Sequence, residues 1–328
     1  MIRSYEDIDY EYVKIRDNNE SIRDNNKEEL YKKYPKLKDI DSKITKFYID
    51  KGMAYLDDNK SFDDKVIDDL YKEKASFIKE NDIDPHYNDI KYTCDLCKDT
   101  GFINGIRCVC YKKKEAELIN NLTPILSISK NVDFDNLDFN LFDNDTQVLD
   151  YNTYKEYIEA LLKDLKKYLS NIDDVNVSKN FQILAEVGRG KTYFALAIAK
   201  EFLKKDKSVM YFRVNELVDL FFKYNKNYDN LRYEDNVENV DLESFAENCD
   251  LLIIDDFGTI PFNDYAEQKI DNLIIKRFEN KKSTIITDLR SESYKKNYSN
   301  KLISIIDNNF YKINLFGDDL RGKKNGRR

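Results

Sequence analysis

The stretch Phe181–Lys200 constrains the fold of this chain most, because it combines a strand, a glycine loop and a helix in one order. It reads FQILAEVGRGKTYFALAIAK, in which a short apolar run leads into a turn with Gly188 and Gly190 and then into good helix formers. Backbone N–H groups of such a turn can face phosphate oxygens, and the start of the helix favours negative charge. The stretch therefore predicts a phosphate-binding site between a buried strand and a helix.

The predicted chemistry depends on the two residues that follow the glycines. Lys191 is expected to reach the β- and γ-phosphates of ATP or ADP, and the hydroxyl of Thr192 is expected to ligate Mg²⁺. The usual P-loop pattern, G-x-x-x-x-G-K-[ST], has a glycine where this chain has Ala185. The predicted nucleotide-binding residues here are Val187, Gly188, Arg189, Gly190, Lys191, Thr192 and Tyr193.

A second motif downstream supplies carboxylates for the same site. Four apolar residues, Leu251–Ile254, end in Asp255 and Asp256, as a buried parallel strand does when it delivers acids at its carboxyl end. Asp255 is predicted to hold Mg²⁺ through water, and Asp256 to polarise the attacking water. The β-branched run STIITD ends in Asp288, which is placed to monitor the γ-phosphate. Two acids after a strand can also be a simple turn, but the preceding glycine loop favours the nucleotide site.

Four of the five cysteines lie close together, in the segment CDLCKDTGFINGIRCVC. The spacing, Cys-x-x-Cys, ten residues and Cys-x-Cys, is typical of a closed structural zinc site on two tight turns. A redox Cys-x-x-Cys and unconnected thiols are the competing interpretations. His86, the single histidine, is an alternative ligand, although a surface position beside Pro85 is preferred. The predicted Zn²⁺ ligands are Cys94, Cys97, Cys108 and Cys110.

Residues 1–90 are rich in charge and carry helical patterns. The sequence IRDNN occurs at 15–19 and again at 22–26, which indicates a polar helix. Two stripes of apolar residues at helical spacing predict amphipathic helices that pack on each other and can also serve a partner. The stripes are Ile40, Ile44, Phe47 and Tyr48, and then Ile67, Leu70, Tyr71, Ala75 and Ile78.

The rest of the chain follows an α/β pattern. Residues 111–150 are interpreted as an interdomain connector with a basic helix start. The five basic residues of the tail 321–328 are either solvated or contact a nucleic-acid backbone. The other expected elements are a helix at 151–169, a strand at 208–213, a helix at 216–224, a polar loop at 225–240 and a strand at 310–315.

Composition restricts the class of partner and the compartment. Lys and Arg number 54 against 62 Asp and Glu, so a basic field over the whole molecule is absent and any DNA contact needs a local patch. The chain has no run of 18 apolar residues and no apolar N-terminal segment of a signal peptide. We therefore expect a cytoplasmic protein without a membrane span, whose cysteines are reduced.

Together these motifs resemble the bacterial replicative helicase loaders of the DnaC/DnaI type, a branch of the AAA+ ATPases that includes IstB-like transposition helpers. The resemblance runs from KEELYKKYPKLKDIDSKI through CDLCKDTG and CVC to VGRGKT, LLIIDDFG, STIITDL and FGDDLR. The cysteine knuckle ahead of this core is its specific part. The resemblance implies an N-terminal domain that binds the hexameric DnaB-type helicase and an AAA+ domain that binds ATP and single-stranded DNA. A homo-oligomer is a further expected partner state of the chain.

The resemblance also implies roles for individual residues. Lys191 and Thr192 match the Walker A pair, and Asp255 and Asp256 match Walker B. Asp288 stands at the sensor-1 position, which is usually Asn, and the Arg of GDDLR stands in the sensor-2 region. The implied catalytic residues are Asp256, Asp288 and Arg321.

Three positions depart from the family pattern. Ala185 replaces a glycine, Asp288 puts negative charge where a neutral amide faces phosphate, and Ile305 stands where an arginine reaches the nucleotide of a neighbouring subunit. Such an arginine finger contributes about 10³–10⁵ to the rate. We therefore expect nucleotide binding with slow hydrolysis and ATP as a conformational switch, unless Arg277 or Arg290 replaces the finger.

The predicted architecture is α/β. A helical module at 1–115 carries the zinc knuckle at 92–112, a connector spans 116–145, and an AAA+ P-loop domain with a parallel sheet spans 146–328. The preferred function is ATP-dependent loading or remodelling of the replicative helicase on DNA. The alternatives are an IstB-like transposition helper ATPase and a non-catalytic adaptor with a degenerate AAA+ core. A zinc-dependent DNA reader is disfavoured, because the knuckle lacks a basic recognition helix.

Overall fold

The structure is a computed structural model, and it describes residues 5–54, 64–142, 145–172, 174, 179–221, 242–259 and 264–321. The chain folds as two compact units. The first comprises Glu6–Tyr111, and the second comprises the chain from Lys112 onward together with Tyr5. No helix within these ranges is both long and apolar enough to cross a membrane.

The first unit consists mainly of three helices: α1 (Tyr5–Lys33), α2 (Pro35–Ala54) and α3 (Asp64–Glu80). Helix α1 contains both copies of IRDNN, which confirms the predicted polar helix. Helix α2 begins with Pro35, whose missing N–H costs nothing in a first turn.

The two predicted apolar stripes meet where α2 packs against α3. Ile40, Ile44 and Ile67 form one buried cluster, which confirms that these helices pack on each other. The stripes also reach the surface, since Tyr48 and Tyr71 are both exposed and their hydroxyl oxygens lie 3.2 Å apart.

The cysteine segment folds around a small hairpin of β1 (Phe102–Ile103) and β2 (Ile106–Arg107). Its turn residues, Asn104 and Gly105, have φ of 50° and 79°, the left-handed conformation that a two-residue hairpin turn needs. Helix α4 (Val109–Leu122) starts directly after the hairpin. The second cysteine pair therefore lies at a helix start, and the expectation that it forms a tight turn was wrong.

The second unit contains a five-stranded parallel sheet with the strand order β4-β5-β6-β3-β7. Helices between the strands cover this sheet, and the predicted α/β class with a parallel P-loop sheet is confirmed. The strands are β3 (Phe181–Leu184), β4 (Val209–Arg213), β5 (Leu251–Asp255), β6 (Ser283–Asp288) and β7 (Tyr311–Asn314). The helices after α4 are α5 (Ile125–Ile128), α6 (Tyr154–Leu169), α7 (Lys191–Leu203), α8 (214–221), α9 (Leu242–Asn248), α10 (Asp264–Glu279) and α11 (Asn300–Asn309).

Helix α6 illustrates how the local sequence sets an element. Thr153 caps its start, because the Thr153 hydroxyl accepts the Glu156 N–H (3.1 Å) and the Glu156 carboxylate accepts the Asn152 N–H (3.1 Å). The helix therefore begins at Tyr154, three residues after the predicted start at Tyr151. Its apolar stripe is buried as predicted: Tyr154, Ile158, Leu161, Leu162, Leu165 and Leu169.

The segment that was interpreted as a connector contributes to the core of the second unit. Helix α4 continues to Leu122, and Ile125, Phe134 and Phe142 are buried in the same cluster as α6 and β3. Buried aromatic residues of this kind are held by packing on neighbours, so this segment is part of the folded unit.

Three sequence-based expectations lie outside the described residues. They are the end of the helix expected at 216–224, the polar loop at 225–240 and the basic tail after Arg321.

Candidate nucleotide and metal sites

The glycine loop joins the end of β3 to the start of α7, as the sequence predicted. Gly188 and Gly190 have φ of 79° and 88°, a region that glycine enters without the steric cost of a Cβ. Gly190 is the N-cap of α7, and its carbonyl oxygen accepts the N–H of Phe194 (3.0 Å). The positive end of the helix dipole and the N–H groups of the first turn, which have no acceptor within the helix itself, therefore face this loop.

Lys191 is buried at the start of α7, and its ammonium group lies against the backbone that leads into the glycine loop. Its Nζ donates to the backbone oxygens of Ala185 (3.0 Å) and Glu186 (3.3 Å). An ammonium group has three donor hydrogens, and its burial is costly unless they find acceptors. These two carbonyls therefore hold the Lys191 ammonium group at the loop.

Asp255 lies at the carboxyl end of β5, almost fully buried, where three hydroxyl groups donate to it. Thr192 Oγ1 lies 2.8 Å and the Tyr211 hydroxyl 2.7 Å from Asp255 Oδ2, and Thr287 Oγ1 donates to Oδ1. The structure thus brings the predicted Thr192 and Asp255 together. Tyr211 and Thr287 were not predicted, because they come from the neighbouring strands β4 and β6.

The adjacent Asp256 differs in conformation and environment. Its φ of 56° turns the chain away from the strand, and its N–H donates to Thr287 Oγ1 (3.0 Å). Partial burial, and then the charge of Asp255, raise the pKa of Asp256 above its usual value. A carboxylate with a raised pKa at this position is a better proton acceptor for a water molecule.

Asp288 ends β6 and is buried beside the glycine loop. Its backbone oxygen accepts the N–H of Ala185 (3.2 Å), and its Oδ1 accepts the N–H of Gly258 (3.2 Å). Its other carboxyl oxygen, Oδ2, has no hydrogen-bond partner among the described residues. Burial raises the pKa of Asp288.

A cavity of about 500 Å³ connects these groups. Lys191, Thr192, Asp256 and Asp288 line it. Leu137, Leu141 and Phe142, in and around the 3₁₀ segment Phe139–Leu141, line it as well, and sequence reasoning missed them because they come from the segment interpreted as a connector. A pocket that combines polar groups with apolar side chains suits a nucleotide.

The segment after β7 folds onto the glycine loop. The Leu320 N–H donates to the Gly188 oxygen (2.9 Å), and the Asp319 carboxylate lies so close that a Cβ on Gly188 would be 2.2 Å from its Cγ. Arg321, the predicted sensor-2 residue, follows directly and lines the cavity. The expected sensor region therefore meets the expected phosphate loop.

The candidates for an arginine finger do not lie in the cavity lining. Ile305 is buried on α11 (8% exposed), so that position faces the interior of its own unit. Arg277 is fully buried and donates to the backbone oxygens of Ala246 (2.7 Å) and Cys249 (3.0 Å), so the suggestion that it replaces the finger was wrong. Arg290 lies over the Phe316 ring at 4.3 Å.

The four predicted zinc ligands converge in the first unit. Their sulfur atoms all lie within 4.8 Å of one another, and Cys97 and Cys108 are buried. The closest sulfur pairs are 3.5 and 3.9 Å apart, too far for a disulfide, whose S–S bond is about 2.05 Å. Four thiols without a disulfide fit a tetrahedral zinc site. His86 is outside the cluster and exposed, with its Nδ1 2.7 Å from Asp89 Oδ2.

The surroundings of the cluster tie it to α1. The Tyr12 hydroxyl donates to Cys110 Sγ (3.1 Å), and Asn19 Nδ2 donates to the Asp99 carboxylate (2.9 Å). Asp99 in turn accepts the N–H of Cys94 (2.7 Å). The hydrogen bond from the Cys97 N–H lowers the pKa of Cys94 to about 7, which favours the thiolate that a metal needs.

Comparisons with known proteins agree with the nucleotide site. The family of IstB-like ATP-binding proteins matches residues 139–305, just over half of the 328 residues. No curated protein sequence matches the chain.

Several solved structures of replication proteins are similar to part of this chain. The DnaC helicase loader is 21% identical over 54% of this chain and 98% of its own, with a TM-score of 0.41. DnaI is 16% identical over 59% of this chain and 98% of its own, with a TM-score of 0.39. The replication initiator DnaA, bound to AMPPCP and single-stranded DNA, is 17% identical over 50% of this chain, with a TM-score of 0.40, and only 48% of the DnaA chain is covered.

Proposed function

Because the chain belongs to the family of IstB-like ATP-binding proteins, we propose that it binds ATP with Mg²⁺ and uses it to load or remodel the hexameric replicative helicase on DNA. The observation that carries the nucleotide part is the hydrogen bond of 2.8 Å between Thr192 and Asp255, together with the cavity that Thr192 and Lys191 line. Hydroxyl and carboxylate oxygens are the ligands that Mg²⁺ prefers in nucleotide sites.

The residues present fit the proposed cofactor. Mg²⁺, when bound, would neutralise phosphate charge. Thr192 and Asp255 would hold it, and the hydroxyls of Tyr211 and Thr287 keep the Asp255 carboxylate in place. Lys191 would exchange loop carbonyls for phosphate oxygens, which are stronger acceptors because they carry charge.

The hydrolytic step is proposed to be slow. Asp256 is placed to accept a proton from water, since its pKa is raised and its side chain lines the cavity. Among the residues that the structure describes, the cavity lining includes one arginine, Arg321. Position 305 is not expected to supply an arginine finger to the nucleotide of a neighbouring subunit, because Ile305 carries no charge and its side chain is buried.

The helicase part of the proposal rests on the sequence resemblance, in which a four-cysteine knuckle precedes the AAA+ core. The cysteine cluster is proposed to bind Zn²⁺ and to stabilise the helical unit that would bind the helicase. An IstB-like transposition helper is the second candidate within the family, and the N-terminal knuckle disfavours it. A non-catalytic adaptor is the third, favoured by the departures Ala185, Asp288 and Ile305.

A titration of a fluorescent ATP analogue with Mg²⁺ tests the nucleotide site. Lys191→Ala should weaken binding about 10–100-fold, since a hydrogen bond to a charged group contributes about 1.5–3 kcal/mol. Lys200→Ala is the control, because Lys200 lies in the last turn of the same helix and should leave affinity unchanged. Equal affinity of the Lys191 variant and the wild type would contradict the site.

A helicase delivery assay separates the three candidates. With a purified DnaB-type helicase and single-stranded DNA, ATP should support loading by the wild type and not by the Lys191→Ala variant. Loading that survives Lys191→Ala and is lost in Cys94→Ala would favour the adaptor. Capture of a transposase in place of the helicase would favour the transposition helper.

A further inference from the structure

Asp288 ends β6 beside the start of the glycine loop. Strand β6 pairs with β3, so that Leu184 and Asp288 are in register and the glycine loop starts beside Asp288. Asp288 lines the same cavity as Lys191 and Asp256. Side chains at the carboxyl ends of parallel strands face the ligand in open α/β sheets.

The hydrogen bonding of this carboxyl group is incomplete. The side chain is 1% exposed, yet Oδ2 has no partner among the described residues. A buried polar atom without a partner destabilises the fold, and more so when it is charged. An unpartnered oxygen on a buried residue of a cavity wall calls for a partner, and a ligand group that enters the cavity would complete its hydrogen bond.

Titratable groups around Asp288 come from several parts of the described chain, and they include the buried Tyr298 before α11. Lys191 at the start of α7 favours the ionised carboxylate, as do the N–H groups of Gly258 and Leu289, whereas Glu292 after β6 disfavours it. Asp256 after β5 and Arg321 after β7 also line the cavity, with opposite charges. Burial outweighs the groups that favour ionisation, and the pKa of Asp288 is raised.

We propose that Asp288 meets a nucleoside triphosphate as a neutral carboxylic acid and donates its Oδ2–H to an oxygen of the terminal phosphate. This inference rests on the proposed nucleotide site and says how that site recognises the third phosphate. An ionised carboxylate would repel the phosphate, whereas a protonated one has the shape and the donor of an asparagine amide. Protonated Asp288 then does what the expected asparagine amide would do, but only at a pH at which its carboxyl group is neutral.

Proton linkage gives the sign of the effect. Binding selects the protonated form, so the protein takes up a proton from solution when the triphosphate binds above the pKa of free Asp288. In that range the affinity falls as pH rises, by at most about tenfold for each pH unit. A diphosphate lacks the terminal phosphate and should take up fewer protons.

Calorimetry of the full chain measures this uptake directly. Mg²⁺-ATP is titrated between pH 6 and 9 in pairs of buffers whose ionisation enthalpies differ, and the dependence of the observed heat on buffer counts the protons. The wild type should take up as many as one proton with ATP and fewer with ADP. Asp288→Asn should abolish the excess uptake and make ATP affinity nearly independent of pH, while the surface control Asp219→Asn should match the wild type.

The outcomes separate this inference from the proposed function. If the wild type binds ATP without proton uptake, or if Asp288→Asn keeps the pH dependence, Asp288 does not act as the acid and the inference fails alone. If the wild type takes up no proton and ATP binding by Asp288→Asn no longer depends on Mg²⁺, then Asp288 is a carboxylate ligand of the cation and not an acid. Absence of ATP binding by the wild type at every pH would overturn the proposed function together with the inference. The wild-type measurement decides by itself, even if the variant folds poorly.

Discussion

At the scale of single residues, the backbone of the glycine loop is the most constrained part of the nucleotide site. Gly188 has a φ of 79° and lies against the Asp319 carboxylate, so both conformation and space require the absence of a Cβ. The motif in the sequence predicted the first requirement. The second depends on the segment after β7, which is more than a hundred residues away in the chain.

Replacement of Gly188 by alanine should therefore destabilise the second unit and weaken nucleotide binding. The left-handed conformation alone costs a residue with a Cβ about 1–2 kcal/mol. The new methyl group must also displace Asp319 and the Leu320 N–H from the loop. Urea unfolding and the fluorescent ATP titration measure the two effects.

Gly52→Ala is the matched control for that variant. Gly52 lies within α2, and an added Cβ there meets nothing within 4 Å. Alanine is favoured over glycine inside a helix by about 1 kcal/mol, so this variant should be slightly more stable than the wild type. Wild-type stability and affinity in Gly188→Ala would contradict the role given to the loop.

At the scale of elements, α1 and the cysteine knuckle depend on each other. The rings of Tyr12 on α1 and Tyr111 on α4 stack with centroids 5.7 Å apart and an angle of 6° between their planes. Both rings also contact Gly101, where a Cβ would lie 2.9 Å from Tyr111. The hydroxyl of Tyr12 reaches Cys110 Sγ, so this ring joins the helix to the proposed zinc ligands.

Tyr12→Phe should weaken metal binding while the ring packing is retained. A partner of a metal ligand typically contributes about 10–100-fold to metal affinity. Competition with a coloured chelator measures Zn²⁺ affinity, and the absorption of Co²⁺ in the site reports the thiolate ligands. Tyr10→Phe is the control, since Tyr10 is exposed on the same helix. Equal metal affinity in all three proteins would show that the hydrogen bond to Cys110 has no such role.

The contact between α2 and α3 allows a similar comparison. Ile67 is buried in their shared cluster, whereas its neighbour Val66 is 52% exposed. Ile67→Ala should lower the free energy of unfolding by about 2–5 kcal/mol, the usual cost of such a cavity. Val66→Ala should change it by less than about 0.5 kcal/mol. Chemical denaturation followed by circular dichroism measures both, and similar values for the two variants would contradict the predicted packing.

At the scale of the whole molecule, the chain consists of two compact units with separate chemistry. The cysteine cluster belongs entirely to the first unit, and the glycine loop with its carboxylates belongs to the second. Among the described residues, a large cluster of buried side chains supports the second unit, whereas two clusters of three buried residues each lie in the first. A unit with small cores depends more on a structural metal.

Removal of zinc should therefore loosen the first unit and leave nucleotide binding in place. The purified protein should contain about one Zn²⁺ per chain. A strong chelator should expose the cysteines to thiol reagents and reduce the helix signal in circular dichroism, while ATP affinity stays within about twofold, as expected for independent sites. Unchanged thiol reactivity after metal removal would contradict the structural role of the cluster.

The helices and the motifs were predictable from the sequence because their signals are local. The stripe of α6 repeats every three or four residues, and the cap at Thr153 lies next to it, so only the exact start was missed. The four cysteines were likewise predictable, because their spacing matches the geometry of a metal site. The local pattern did not show that the second pair lies at the start of α4.

What only the tertiary structure decided depends on contacts between residues far apart in the chain. The hydroxyls of Tyr211 and Thr287 reach Asp255 because β4, β5 and β6 are neighbours in the sheet, an order that no local pattern contains. Burial also gave Arg277 a structural role, although its charge had suggested a catalytic one. The sequence alone determined the elements and the chemical groups of the site, because these follow from neighbouring residues. The fold determined the environment of each group, because burial and hydrogen bonding come from elements that meet only when the chain is folded.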